Sequence, residues 1–103
     1  MNSQLKKGVL EMLVLQQLRE RDCYGYELVQ EISEHIAISE GTIYPLLRRL
    51  NKEALVTTYL KESESGPPRK YYKISSQGLA TLQEQIAEWQ TFVQRVNAIL
   101  EGG

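Results

Sequence analysis

Residues 39–60 read SEGTIYPLLRRLNKEALVTTYL, and the spacing of the apolar residues changes within this stretch. Up to Glu53 the apolar residues recur every three or four positions, which is the period of a helix with one buried face. From Val56 to Lys61 apolar and polar residues alternate, which is the period of a strand. The stretch therefore predicts a helix that runs to about Glu53 and is followed by a strand.

Two residues are candidates for the N-cap of this helix. Ser39 would place Pro45 just past the first turn, where a proline removes one backbone hydrogen bond. Thr42 would place Pro45 inside the first turn, where proline is tolerated. The pattern favours Ser39 and leaves the start of the helix open by about one turn.

Two further helices are predicted earlier in the chain. Apolar residues at helical spacing indicate the first from Leu5 to Arg21. The second follows Asp22, which is a suitable N-cap, and its apolar face runs from Tyr24 to Ile36. A short link separates this helix from the next one, which is the arrangement of a helix-turn-helix pair.

A second strand and a long helix are predicted after residue 61. The strand covers Lys70–Ile74, and the polar segment Glu62–Arg69 before it is expected to form a long loop that projects from the domain. From Ser76 onward the apolar residues follow one another in steps of three and four, which is the pattern of a heptad seam. The members of the seam are Leu79, Leu82, Ile86, Trp89, Val93, Val96 and Leu100.

Composition limits the class of protein. The chain has 103 residues, of which 42% are hydrophobic and 24% charged, as in ordinary globular proteins, and no segment reaches the roughly 20 apolar residues of a membrane-spanning helix. This length allows one compact domain with an appended element, and we predict a division into residues 1–75 and 76–103. The only cysteine, Cys23, cannot form an internal disulfide, which favours a reducing, cytoplasmic environment.

The net charge of -1 conceals an uneven distribution of charge. Residues 39–75 contain seven basic and four acidic side chains, which gives this part of the chain a charge of +3. Hydroxyl and basic residues on the third helix are suited to base edges and phosphates. They are Thr42, Tyr44, Arg48, Arg49 and Lys52. In the hairpin, Arg69 and Lys70 follow two prolines, so that a stiff segment would present two cations to double-stranded DNA.

Three segments resemble the PadR family of bacterial regulators. They are Tyr24–Leu28 (YGYEL), Gly41–Leu50 (GTIYPLLRRL) and Gly66–Ser75 (GPPRKYYKIS), with Gly78 after them. The resemblance spans most of the chain and keeps the segments in order. It implies a mainly helical α+β fold: a winged helix-turn-helix domain whose third helix enters the major groove, a two-stranded wing and a C-terminal dimerisation helix.

The resemblance also implies roles for particular residues. Thr42, Tyr44, Arg48 and Arg49 would be recognition-helix residues, and Arg69 and Lys70 would be wing residues. Family members that sense phenolic acids have a longer C-terminal region than the single helix predicted here. The chain therefore resembles the short subgroup, and a phenolic ligand is not implied.

The C-terminal helix has two interpretations. As a heptad seam it predicts a homodimer interface that consists of Leu82, Ile86, Trp89, Val93, Val96 and Leu100. In multidrug-binding members of the short subgroup, a tryptophan on this helix lines a cavity at the dimer interface. The resemblance thus implies that Trp89, with Phe92 nearby, binds a planar aromatic small molecule. Trp89 is equally suited to be a dimer anchor, because tryptophan buries a large area at interfaces.

The sequence predicts no catalytic, cofactor or metal site. His35 is the only histidine, and Glu31, one helical turn before it, does not complete a metal site. No phosphate-binding glycine loop or nucleophile and base set is present. We expect a DNA-binding homodimeric regulator, a ligand-responsive repressor and not an enzyme. The alternative is a winged helix that acts as a protein-protein adaptor, against which the basic residues in both the third helix and the hairpin argue.

Overall fold

Residues 3–102 form four helices and three strands, in nearly the predicted order. The computed structural model describes the backbone of residues 3–102 and the side chains of residues 8–102. The elements are α1 (Ser3–Glu20), β1 (Cys23–Tyr24), α2 (Gly25–Ser33), α3 (Glu40–Lys52), β2 (Val56–Ser63), β3 (Gly66–Ile74) and α4 (Ser76–Leu100). This architecture confirms the mainly helical α+β fold. The predicted outer domain limits, residues 1 and 103, lie outside the described residues.

The core is assembled around α1, which contacts α2, β3 and α4. Because neighbouring elements lie on several sides of α1, its buried apolar residues are spread around the helix. They are Leu10, Met12, Val14, Leu15 and Leu18. In contrast, α2 and α3 each bury a single stripe, which includes Leu28 and Ile32 on α2 and Ile43 and Leu47 on α3. Each such side chain contributes about 1.5–3 kcal/mol when fully buried.

The helix α3 begins at the first of the two predicted positions. Ser39 is the N-cap, and its carbonyl oxygen accepts hydrogen bonds from the backbone N–H groups of Thr42 and Ile43, both at 3.1 Å. The Ser39 hydroxyl pairs with the Thr42 hydroxyl at 3.3 Å. Pro45 therefore lies inside the helix, beyond its first turn, where its ring nitrogen cannot donate to the carbonyl of Gly41.

A left-handed residue ends α3. Ala54 has a φ of 62°, and its N–H donates to the Asn51 carbonyl at 3.1 Å, while the N–H of Leu55 donates to the Leu50 carbonyl at 2.9 Å. These two hydrogen bonds form a Schellman motif, in which the left-handed position is most often glycine. Both leucines are buried, so the motif turns the chain sharply from α3 into β2.

The three strands form an antiparallel sheet in the order β1-β3-β2. The sequence pattern did not predict β1, in which Cys23 pairs with Tyr72 and Tyr24 pairs with Tyr71. Because β1 occupies these positions, α2 begins at Gly25 with Tyr24 as its N-cap, and the prediction of Asp22 as that cap was wrong. The N–H of Tyr24 donates to the Glu27 carboxylate at 3.2 Å, which stabilises the first turn of α2.

The expected long loop is a tight hairpin. Strand pairing extends to Ser63 and Gly66, so only Glu64 and Ser65 form the turn. The Ser63 hydroxyl donates to the carbonyl groups of Gly66 and Pro67, each at 3.0 Å. The prediction was wrong because a composition rich in Ser, Gly and Pro is typical of loops, whereas a register shift between Lys61 and Ser63 accommodates the prolines within the ladder.

The helix α4 is anchored to the end of α3 at its first turn. The Ser75 hydroxyl accepts from the N–H of Gly78 at 2.9 Å and donates to the carbonyl of Ala54 at 2.7 Å. A Cβ atom at Gly78 would lie only 2.1 Å from the carbonyl oxygen of Leu55, so the close packing here requires glycine. From this anchor α4 continues for 25 residues, in a molecule whose longest dimension is 56 Å.

Candidate nucleic-acid interface

The surface of α3 that faces away from the core is basic. Ile43, Leu47 and Leu50 are buried, whereas Arg48 and Lys52, one turn apart, are both exposed. Thr42 is also exposed, on the flank of the helix that faces α1, and Tyr44 is half-buried on the opposite flank. The outward side of the helix is thus a polar stripe that includes two cations, Arg48 and Lys52.

A groove of about 390 Å³ lies between α3 and the hairpin. Its walls bring together four of the predicted DNA-binding residues, which are distant in sequence. They are Tyr44, Arg48, Arg69 and Lys70, and the rest of the lining consists of Tyr24, Gly25 and Tyr72. Since three of the predicted residues carry positive charge, the groove is suited to an anionic chain that passes between α3 and the wing.

Tyr44 contributes a hydroxyl group to this groove. Its ring lies against Gly25, where a Cβ atom would be 2.5 Å from Cε1 of Tyr44. Burial, and then the nearby charge of Glu40, raise the pKa of Tyr44. The phenol therefore remains protonated at neutral pH and can donate a hydrogen bond to an acceptor such as a phosphate or a base edge.

Three tyrosine rings support the cations of the hairpin. Tyr59 and Tyr71, which are partners in the sheet, stack with ring centroids 5.6 Å apart, and Tyr24 meets Tyr71 edge to face at 5.4 Å. The guanidinium of Arg69 lies 4.7 Å from the centroid of Tyr24, and the ammonium of Lys61 lies 5.2 Å from that of Tyr71. These cation–π contacts orient the side chains of Arg69 and Lys61 on the surface of the hairpin.

The sequence pattern did not indicate the roles of Tyr24 and Lys61. It assigned Tyr24 to the apolar face of α2, because β1 was not recognised. The cluster could have been recognised from the spacing of two residues between Tyr59 and Lys61 and between Arg69 and Tyr71. Residues two positions apart on a strand lie on the same face, so all four side chains share one face of the hairpin. A hydrogen bond from Tyr59 to Asp22, 2.7 Å long, fixes this face to the start of β1 and raises the pKa of Tyr59 to about 12.

Arg49 lies in a different environment from Arg48. One of its guanidinium nitrogens, Nη1, forms ion pairs with Glu11 of α1 at 2.9 Å and with Glu53, the C-cap of α3, at 3.0 Å. Arg49 does not line the groove between α3 and the hairpin; it lies on the flank that faces α1. The two neighbouring arginines, which the sequence analysis treated together, therefore face different parts of the molecule.

The predicted seam on α4 is only partly available at the surface. Leu82 is fully buried in the core of its own chain, and Ile86 packs against that core, so neither is a freely exposed surface residue. Farther along, Val93 and Val96 are half-buried, and Leu100 is exposed. The exposed apolar surface of α4 consequently lies mainly in its second half.

Trp89 and Phe92 line an open cavity between α1 and α4. The cavity has a volume of about 590 Å³, and the two rings are 6.4 Å apart between centroids. Its other walls are formed by Gly8, Val9, Met12, Gln85 and Glu88. Among the described side chains the lining is thus mostly apolar, with one amide, one carboxylate and no basic residue.

The remaining side chains show no site for a metal ion. Among the described side chains, His, Cys, Asp and Glu do not gather into any group of three, and His35 is exposed. Cys23 is buried, which raises the pKa of its thiol to about 11. No helix within residues 3–102 is long and apolar enough to cross a membrane.

Known proteins share this fold and sequence. Residues 14–84 match the transcriptional regulator PadR-like family. A PadR-like transcriptional regulator from Bacillus cereus has a crystal structure that aligns with a TM-score of 0.89 and 44% identity, covering 98% of this chain and all of that one. For a PadR family transcriptional regulator from Eggerthella lenta the values are 0.86 and 42%, covering 97% of this chain and 88% of that one.

A curated relative has a name of the same kind. The transcriptional regulator YqjI of Escherichia coli is 30% identical over 95 residues, which cover 88% of this chain and 44% of that protein. The family match extends from the middle of α1 to the first part of α4 and includes the whole groove between α3 and the hairpin. The chain belongs to the PadR-like family of transcriptional regulators.

Proposed function

We propose that this regulator binds operator DNA as a homodimer and is a repressor that releases DNA when a small molecule binds. The observation that supports DNA contact is the meeting of Arg48 of α3 with Arg69 and Lys70 of the hairpin around one groove. A protein-protein adaptor would have no need for cations on both elements. In a winged helix, the recognition helix and the wing, here α3 and the hairpin, are the two elements that contact DNA.

Each part of the groove has a distinct task in this proposal. The exposed stripe of α3, with Arg48 and Lys52, enters the major groove, where a guanidinium can bind a guanine or a phosphate. Arg69 and Lys70 contact the adjacent backbone, and each neutralised phosphate releases bound counterions. The protonated hydroxyl of Tyr44 adds a directional hydrogen bond to an acceptor on the DNA.

The second half of α4 supports the proposal of a homodimer. Trp89 is 37% exposed, Phe92 56% and Leu100 75%, which is a large apolar surface for one helix of a small protein. At about 1.5 Å per residue, the 25 residues of α4 extend roughly 37 Å. In this arrangement residues 1–75 bind DNA, while residues 76–103 pair with the second copy and separate the two copies of α3 by about one DNA turn, roughly 34 Å.

The cavity beside Trp89 supports the proposal that a small molecule regulates DNA binding. Its open, mostly apolar walls are suited to a planar aromatic molecule that stacks on Trp89 or Phe92. Because α1 and α4 both line this cavity, a ligand would change how α4 sits on the winged domain. A small change there alters the spacing of the recognition helices and lowers the affinity for DNA. Regulation of this kind would take place in the cytoplasm, where bacterial DNA lies.

The test is binding to the DNA upstream of the protein's own gene, measured over a range of salt concentrations. We expect the protein to bind this DNA specifically at moderate salt. Replacement of Arg48, Arg69 and Lys70 by Ala is expected to weaken binding and to reduce the dependence of log affinity on log salt concentration by about 0.9 for each lost phosphate contact. Arg19→Ala, which removes a cation from the exposed end of α1, is the matched control. Absence of any DNA preference in the unaltered protein would instead favour the adaptor.

A further inference from the structure

Three polar side chains connect the cavity beside Trp89 to α3. Gln85 of α4 lies in the cavity wall, and its Nε2 donates a hydrogen bond to Oε2 of Glu11 on α1. The other oxygen of Glu11, Oε1, accepts from Nη1 of Arg49 on α3 at 2.9 Å. Glu11 thus joins the middle of α4 to α3.

At the cavity end of this set of three side chains, the amide oxygen of Gln85 has no hydrogen-bond donor among the described residues. This oxygen, Oε1, is buried. A buried acceptor without a donor costs free energy, so that a donor supplied from outside is bound favourably. Gln85 lines the cavity together with Trp89 and Phe92. A rotation of its amide toward the cavity would bring Oε1, which is closed off in this structure, against an N–H group of a flat molecule in contact with these rings.

We infer that Gln85, Glu11 and Arg49 relay occupancy of the cavity to α3, and that the ligand is a planar aromatic molecule with an N–H donor. The inference rests on the proposed ligand-responsive repressor and specifies its regulation. A ligand N–H bound to Gln85 fixes and polarises the amide, and the amide in turn strengthens the bond to Glu11. Glu11 then holds Arg49 against α1, away from the phosphates, and the affinity for DNA falls.

The exposure of the two charged partners supports this direction of transfer. The side chain of Glu11 is 18% exposed, whereas that of Arg49 is 50% exposed. Arg49 can therefore leave for a DNA phosphate while Glu11 remains between the helices. Glu53, which also pairs with Arg49, is the C-cap of α3 and moves with that helix, so this second ion pair does not connect Arg49 to the cavity. Gln85 and Glu11 are thus positioning residues for Arg49.

Two probes of the same shape test the relay. 2-Phenylbenzimidazole carries an N–H donor, and 2-phenylbenzoxazole, which has an oxygen atom in place of that N–H group, does not. We expect the first to weaken operator binding by about fivefold or more and the second to have a much smaller effect. In Gln85→Met and in Glu11→Gln the first probe is expected to change the affinity for operator by less than about twofold. The control is Glu84→Gln, which removes an exposed charge from α4 and is expected to respond like the original protein.

Loss of the Glu11 charge has a second expected effect. Without probe, Glu11→Gln is expected to bind operator about two to five times more tightly, because Arg49 is released toward the DNA. An unchanged response to the N–H probe in both Gln85→Met and Glu11→Gln would overturn the relay while leaving ligand-responsive repression intact.

A measurement without DNA separates the relay from the proposed function. The NMR signal of the Arg49 Nε–H group is expected to shift when 2-phenylbenzimidazole saturates the protein, and this shift is expected to disappear in Glu11→Gln. If the protein does not bind operator at all, the proposed function fails, and this signal still decides the relay. An Arg49 signal that does not move in the unaltered protein at saturation would refute it.

Discussion

The ring of Tyr44 lies so close to Gly25 that a Cβ atom at position 25 would be 2.5 Å from Cε1 and 2.8 Å from the hydroxyl oxygen of the ring. Only the end of a side chain blocks the added methyl group, so the ring can be displaced without a change in the backbone. We expect Gly25→Ala to displace the Tyr44 hydroxyl and weaken operator binding, while the free energy of unfolding changes by less than about 1 kcal/mol.

Two measurements check this expectation, namely titration of labelled operator DNA and unfolding in urea. Gly8→Ala is a suitable control, because a Cβ atom at Gly8 would meet nothing within 4 Å. If Gly25→Ala binds operator as tightly as the original protein, the orientation of Tyr44 does not matter for DNA binding.

The left-handed conformation of Ala54 predicts a stabilising substitution. Its φ of 62° is one that a residue with a Cβ atom adopts at a cost of about 1 kcal/mol, whereas glycine adopts it freely. Ala54→Gly is therefore expected to raise the free energy of unfolding by roughly 0.5–1 kcal/mol, and Ala54→Val is expected to lower it. The midpoint of urea unfolding measures both changes, and a loss of stability in Ala54→Gly would contradict the strain at this position.

Much of the fold could be predicted because it depends on local patterns. The helical period from Ile43 to Leu50, the cap at Ser39 and the change of period after Leu55 set the limits of α3 and the start of β2. In contrast, β1 has only two residues and no period of its own. It forms because Tyr71 and Tyr72 of β3 supply hydrogen-bond partners, which no local pattern near Cys23 indicates.

The candidate DNA-binding residues were found for the same local reason. Exposure and charge identified Arg48, Arg69 and Lys70, and the fold places them around one groove. The difference between Arg48 and Arg49 could not be predicted, because it depends on Glu11, which comes from another helix. Adjacent residues of a helix point about 100° apart, so the two arginines face different neighbours, and which of them faces the hairpin depends on how α3 packs in the fold.

The hydrogen bond between Tyr59 and Asp22 predicts a dependence of stability on pH. It raises the pKa of Tyr59 from 10.0 to about 12. The folded protein thus keeps this proton to a higher pH than the unfolded chain, so the stabilisation is complete below the unfolded pKa and is lost as the pH rises from about 10 through 12. Titration of tyrosinate absorbance is expected to show a late step that moves to lower pH in Asp22→Asn, and an unchanged late step in that variant would exclude the hydrogen bond as its cause.

The exposed half of α4 predicts where a dimer can be broken without harm to the core. Val96 is half-buried and lies on the stripe with Trp89 and Val93, whereas Ala98 is exposed on another side of the helix. A lysine at Val96 would place two like charges near each other across a two-fold axis. Sedimentation is expected to show a folded monomer for Val96→Lys and a dimer for Ala98→Lys, and a stable dimer of Val96→Lys would refute the seam.

The two adjacent arginines of α3 offer a direct test of which surface meets DNA. Arg48 lines the groove with the hairpin cations, whereas Arg49 is engaged by Glu11 and Glu53. Arg48→Ala removes a cation that is directed toward the groove, and we expect it to weaken operator binding by about 1–3 kcal/mol and to lower the salt slope by about 0.9. Arg49 must leave Glu11 and Glu53 before it can reach a phosphate, so the effect of Arg49→Ala on both quantities is expected to be smaller. The two variants lose the same side chain from neighbouring positions of one helix, and circular dichroism checks that each remains folded. An equal or larger loss in Arg49→Ala would show that the flank of α3 facing α1, and not the groove beside the hairpin, lies against the DNA.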